Sequence, residues 1–234
     1  MGAKMKKRIG IVGGISAAST AQYYRTITDL YYERFNDYYY PEILIYSLDF
    51  QYFTDLENSC RQDEYIKYIT GAVLALEKAG AELAAMAANS PHSVFDEVSR
   101  EAGIPMVSIV DATVKEAKRQ NIKNALLTGI KYTMSSSFYQ KGFHKMGLGL
   151  TVPTEAHKKE IDDIIFKELV IHKINDTSRN RFLDIANSYN VDGIILGCTE
   201  IPQLIKQENT KLKTLDTLML HCKSILEEAA GSGG

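Results

Sequence analysis

GIILGCTEI, residues 193–201, is a run of small and branched apolar residues that ends at a cysteine and turns polar in one step. LAAMAANSPH, residues 83–92, has the same form, with Ala88 where the later stretch has Cys198. Short apolar runs bounded by small or polar residues read as strands buried on both faces, the kind found in parallel sheets. Further runs at 8–12, 42–48, 106–110, 125–128 and 149–152 alternate with longer helical patterns, which marks βαβ units.

The helical segments have readable faces. Over 61–79, Ile66, Ile69, Val73 and Leu76 recur at three- and four-residue steps while Glu64, Lys67, Glu77 and Lys78 lie elsewhere. Over 155–170, Ile161, Ile164, Ile165 and Leu169 do the same. Ser16 or Ser19 can cap the first helix, Ser178 can start another, and a last helix covers 218–229. The connection near IPMVSIVDAT separates two blocks, each holding one apolar run with a small, polar end. The expected division is therefore a first α/β lobe of 1–107 plus 215–230 and a second of 108–214, with 231–234 an appended tail. Ligands of open parallel sheets bind beyond the carboxyl ends of strands, where AANS and GCTE both fall.

With 234 residues, 45% hydrophobic and 24% charged, the chain is long enough for one large or two small α/β domains. A net charge of −2 gives no general attraction to nucleic acid or anionic membrane, so small molecules or further copies of the chain are the expected partners. No apolar run approaches the roughly 18 residues needed to span a bilayer, and no signal-peptide pattern opens the sequence, which points to the cytoplasm. Cys60, Cys198 and Cys222 lack a CxxC pair, and His144, His157, His172 and His221 lack partners at ligand spacing, so neither a disulfide framework nor a metal site is expected. The tyrosine-rich RTITDLYYERFNDYYYPE (25–42) carries net negative charge, so helix packing or a subunit contact explains it better than base stacking.

Chemistry concentrates at the strand ends. Cys198 lies between a strand and Thr199–Glu200, where the following short helix, EIPQLIKQ, can aim backbone N–H groups at it and lower its thiol pKa toward neutrality. The plain alternative is a buried small hydrophobe. GIVGGISAAST (10–20) joins a strand to a helix start and suits a carboxylate better than a pyrophosphate, since it is not a GxGxxG fingerprint; the alternative is a tight turn only. Asn89, Ser90 and Thr199 offer donors for a small polar ligand, and His92 is a candidate acid or base, or a structural hydrogen-bonder.

Taken together, GIVGGISAASTAQYY, AANSPHSVFDE, IPMVSIVDAT and GIILGCTEIP resemble the aspartate/glutamate racemase family of cofactor-independent racemases, over nearly the whole chain and in the same order. The resemblance implies two pseudo-symmetric, doubly wound parallel-sheet lobes of the flavodoxin-like or Rossmann-like kind, an active site between them, no PLP and often a homodimer. It implies an amino-acid or dicarboxylate substrate whose α-carbon is inverted by two thiols, one per lobe, because inversion by proton transfer needs an acid on one face and a base on the other. It places Cys198 as one thiol and Ala88 at the position of the other. It also places Ser16, Asn89, Ser90, Thr133, Thr199 and Glu200 around the substrate.

Alanine cannot carry a proton, and the cations that bind a second substrate carboxylate in such enzymes are not evident in SLDFQYFTDLE or FKELVIHKIND. The leading expectation is a racemase of aspartate or glutamate with Cys198 as the surviving thiol. The alternatives are a single-thiol isomerase or decarboxylase of the same superfamily, or an impaired enzyme that only binds amino acids.

Overall fold

A computed structural model describes residues 6–59 and 61–231; Cys60 and most of the expected tail lie outside the described residues. By contact the chain divides into two units, one running to Ser108 and resuming at His221, the other spanning Ile109–Leu220.

The first unit contains β1 (Ile9–Gly13), α1 (Ala17–Phe35), β2 (Ile43–Ser47), α2 (Phe50–Glu57), α3 (Gln62–Lys78), β3 (Leu83–Met86), α4 (Phe95–Glu101) and β4 (Met106–Val107). Its sheet is wholly parallel in the order β2-β1-β3-β4, with Ile9 opposite both Ile43 and Leu83. Every residue of β1 and β3 is buried, whereas β2 at the edge is half-buried to exposed. Ile69, Val73 and Leu76 of α3 cover one sheet face, as their spacing requires.

The second unit contains α5 (Ile109–Arg119), β5 (Asn124–Gly129), α6 (Lys131–Ser135), α7 (Phe138–Lys145), β6 (Gly149–Thr151), α8 (Glu155–Lys167), α9 (Asp176–Asn187), β7 (Gly193–Gly197), α10 (Ile201–Leu204) and β8 (Lys213–Asp216). The last helix, α11 (Thr217–Ala230), starts here and continues into the first unit. The sheet order β6-β5-β7-β8 reproduces the winding of the first unit, again wholly parallel. Ile161, Ile164, Ile165 and Leu169 join Ile194, Ile195 and Leu196 in one core. The expectation of two like parallel-sheet lobes with flanking helices therefore holds.

Four details differ from the sequence reading. The strand expected over 106–110 stops at Val107, and Ile109 and Val110 are the buried first turn of α5. The strand β8 was not anticipated, because KTLD buries only Leu215 at the sheet edge and so lacks an apolar run. The helix after Cys198 is four residues long. Finally, Ser178 does not start α9: Asn175 does, its side-chain oxygen accepting the Ser178 N–H at 2.8 Å. Ser16, by contrast, caps α1 through the Ser19 N–H. Among the described residues no helix is long and apolar enough to cross a membrane.

Replacing Asn175 with alanine should remove the cap of α9 and cost about 1 kcal/mol, read as a lower urea midpoint at unchanged slope.

Candidate functional site

Cys198 is the first residue beyond β7 and keeps part of its surface exposed. The approach to it is set by glycines. A methyl group on Gly197 would overlap the Thr128 carbonyl, and one on Gly129, whose φ is +156°, would lie 2.8 Å from the Gly197 carbonyl oxygen. The ends of β5 and β7 can therefore run side by side only with glycine at both positions. Thr128 Oγ1 donates to the Ile195 carbonyl at 2.6 Å and Thr217 Oγ1 to the Leu196 carbonyl at 2.9 Å, fixing the strand from either side.

The thiol points at a carboxylate: Cys198 Sγ donates to Glu200 Oε2 at 2.9 Å, and Thr199 Oγ1 donates to the same oxygen at 2.7 Å. Burial and then the Glu200 charge push the thiol pKa well up, although backbone N–H groups of Thr199 and Glu200 pull the other way. The expected lowering by a helix start is thus overturned. A single turn of helix supplies little dipole, and a carboxylate two residues away outweighs it. The sulfur thus favours its protonated form, with the hydrogen directed at Glu200.

Thr133, on α6, is fully buried with its Cβ 3.5 Å from where a Gly129 methyl would stand, so it sits over the β5 end beside Gly197. Its Oγ1 has no hydrogen-bond partner among the described residues. A buried hydroxyl left unpaired costs roughly 1–3 kcal/mol.

In the first unit Ala88 follows β3, and Asn89, Ser90 and His92 form a buried 3₁₀ turn after it. Ser90 is already engaged by the carboxylate of Glu57, whose pKa burial raises while the Ser90 and Tyr65 hydroxyls lower it. His92 Nδ1 meets the Ala88 carbonyl oxygen at 3.0 Å, its ring stacks on Phe95, and burial followed by the nearby His221 pushes its pKa well down. The ring thereby braces the turn.

His221 sits edge-on to His92 with centroids 5.6 Å apart; it faces the Val107 carbonyl through Nε2 and Tyr23 Oη through Nδ1, each at 2.9 Å. A carbonyl only accepts, so Nε2 carries the proton and Tyr23 donates to Nδ1. Burial lowers the His221 pKa from 6.5 to about 4. Neither His221 nor Glu57 was singled out from the sequence, because each meets its partner across a separation that leaves no local pattern.

Ser16 is half-buried at the start of α1. The preceding turn is held by Gly14 N donating to Thr20 Oγ1, which donates to the Ser16 carbonyl, both at 2.8 Å. Gly14 has φ +84° and the Leu48 backbone nitrogen would lie 2.6 Å from an added methyl, so glycine is required there. Among the described residues no group of three or more His, Cys, Asp or Glu could hold a metal ion. Cys222 is buried with its thiol toward the Tyr23 carbonyl.

Two outcomes follow from these proton positions. Because His221 is neutral when folded, the unfolded chain binds more protons than the native state between pH 6.5 and about 4. Its contribution is complete above pH 6.5 and is lost as the pH falls toward 4, about 3 kcal/mol in all. Urea unfolding of His221→Gln should therefore lose less stability between pH 7 and pH 4.5 than the parent chain does. Cys198 should react slowly with iodoacetamide at pH 7, and Glu200→Gln should speed that reaction by removing the charge that opposes ionisation.

Comparison with known proteins places these features in a wider group. The chain is 26% identical over 223 residues to the broad specificity amino-acid racemase RacX of Bacillus subtilis, covering 92% of this chain and 95% of that one. The solved structure of an aspartate racemase homologue from Pyrococcus horikoshii is 39% identical, with TM-score 0.87 over 96% of this chain and all (100%) of that one. A structure from Yersinia pestis is 30% identical, with TM-score 0.90 and the same two coverages, 96% and 100%. The family profile described as Asp/Glu/Hydantoin racemase matches residues 12–225, and the chain belongs to that family.

Proposed function

We propose that the protein is a PLP-independent amino-acid racemase, nominally of aspartate or glutamate, in which Cys198 carries the transferred proton. One observation carries this reading: the thiol stands at the carboxyl end of a central strand, partly exposed, with its hydrogen directed at Glu200.

The hydrogen bond from Sγ to Glu200 Oε2 gives the thiol proton a direct path to the carboxylate. To remove an α-proton, the S–H proton passes to Glu200, and the freed thiolate takes the proton from carbon. To deliver a proton, the steps reverse: the thiol protonates the carbanion and Glu200 returns its proton to sulfur. The net charge of the pair changes only by the proton gained or lost at carbon. Thr133 Oγ1, which has no partner among the described residues, holds the substrate carboxylate, which stabilises the negative charge developing beside it. The names of the relatives support the substrate class.

Ala88 favours a second reading, a one-thiol isomerase or decarboxylase that protonates a single face. The two differ in what becomes of an amino acid. In D₂O a racemase working through Cys198 should exchange the α-proton of aspartate or glutamate, seen as loss of the α-proton NMR signal. With one strong proton carrier, exchange should outrun inversion. Cys198→Ser should lower exchange by 10² or more, on the order of what one acid–base group contributes. Undiminished exchange in that variant would remove Cys198 from the chemistry. Release of CO₂ from a malonate-type acid, with no exchange of any amino acid, would select the second reading. Thr133→Val, which deletes an unpaired hydroxyl without changing shape, should leave stability unchanged or higher while weakening substrate binding about tenfold.

A further inference from the structure

The tyrosine-rich segment that the proposed reaction leaves unused packs into a cluster with two unlike sides. On one side, Lys6 Nζ lies 3.9 Å from the centroid of the Tyr31 ring and 5.6 Å from that of Phe35. It also donates to Tyr31 Oη, which in turn donates to the Asp37 carboxylate at 2.7 Å. The ammonium thus lies over aromatic faces and donates to Tyr31 Oη and the Tyr39 carbonyl, while the Tyr31 hydrogen bond first, and the Lys6 charge to a smaller extent, hold the Asp37 pKa down.

The other side also sets ring faces near carboxylates, with only the exposed Arg25 close to one of them. Asp29 and Glu33 on α1, with Tyr32, Tyr38 and Tyr40, line an open pocket of about 440 Å³. The Tyr38 and Tyr40 rings meet nearly at right angles (74°, centroids 6.2 Å apart), making a corner, and Tyr32 lies against Tyr38 at 5.3 Å. Tyr31 joins the two sides, packing edge-on against Tyr40 at 5.4 Å.

Charge on this side is unbalanced. Asp29 and Glu33 are four residues apart on one helix, a like-charge pair that weakens the helix by a few tenths of a kcal/mol. Asp29 meets only the exposed Arg25, at 3.5 Å, and Glu33 has no ion pair or side-chain hydrogen bond among the described residues. Stability alone gives no reason to set two carboxylates beside three ring faces. An organic cation satisfies both at once, since rings attract it through their quadrupoles and carboxylates by charge.

We propose that Asp29, Glu33, Tyr32, Tyr38 and Tyr40 form a binding site for an organic ammonium group, separate from the strand end bearing Cys198. The Lys6 side shows the ligand chemistry, because there a lysine ammonium already rests over the ring of Tyr31 in the same aromatic cluster. The ligand is a free alkylammonium or a lysine side chain presented by a peptide.

The test is an NMR titration of the full chain, ring-labelled at tyrosine, with n-butylammonium chloride and with the peptide acetyl-Gly-Lys-Gly-amide. Sodium chloride at matched ionic strength is the control. Saturating shifts of Tyr32, Tyr38 and Tyr40 are expected with at least one probe. The double variant Asp29→Asn, Glu33→Gln should weaken binding about tenfold or more, and Tyr38→Leu should weaken it as well. Tyr38 is 76% exposed, so that change leaves the core intact. Tighter binding of the peptide identifies a protein-borne lysine; equal binding identifies a free ammonium. Shifts that never saturate, that sodium chloride reproduces, or that survive the double variant would overturn the proposal. Amino-acid exchange should be unchanged in both variants, so loss of the ammonium site and failure of the proposed racemase activity are read separately.

Discussion

Both sheets are parallel and their central strands are buried on both faces, and this constraint governs where chemistry can occur. A strand with no exposed face offers function only at its ends, and helix starts gather at the carboxyl end. Glycine appears where backbones must come closest, at Gly14 after β1 and at Gly129 and Gly197 where β5 and β7 finish. Cys198, Thr133 and the turn around Ala88 are all consequences of the same arrangement.

The two units keep the winding and diverge at the strand ends. The second unit ends its central strand in a thiol hydrogen-bonded to a carboxylate. The first ends its counterpart in Ala88, whose carbonyl is bound by a buried neutral histidine. One end carries a partly exposed thiol; the other is fixed by packing and by hydrogen bonds from His92 and to Glu57.

The central strands were legible in the sequence because an apolar run between small residues has few other readings: β7 falls on 193–197 as expected. The edges were not. The run MVSIV looks alike as a strand or as the buried first turn of a helix, and the chain divides it between the two at Ser108. β8 shows the reverse problem, a strand whose mostly polar residues hide it. Asn175 and Ser178 are both good caps three residues apart, and only the geometry distinguishes them. The sequence puts Cys198 at a strand end, where the structure also finds it, but it does not carry the direction of the thiol's pKa shift. Its direction depends on whether the Glu200 side chain turns toward sulfur, and no spacing encodes that.

The Glu200 contact also affects how the protein withstands oxidants. Peroxides attack sulfur mainly in its ionised form, and ascent from sulfenic to irreversible sulfonic acid begins there. Burial, and then the Glu200 charge, raise the Cys198 pKa and so lower its thiolate fraction, which slows the first step of that oxidation relative to a thiol of ordinary pKa.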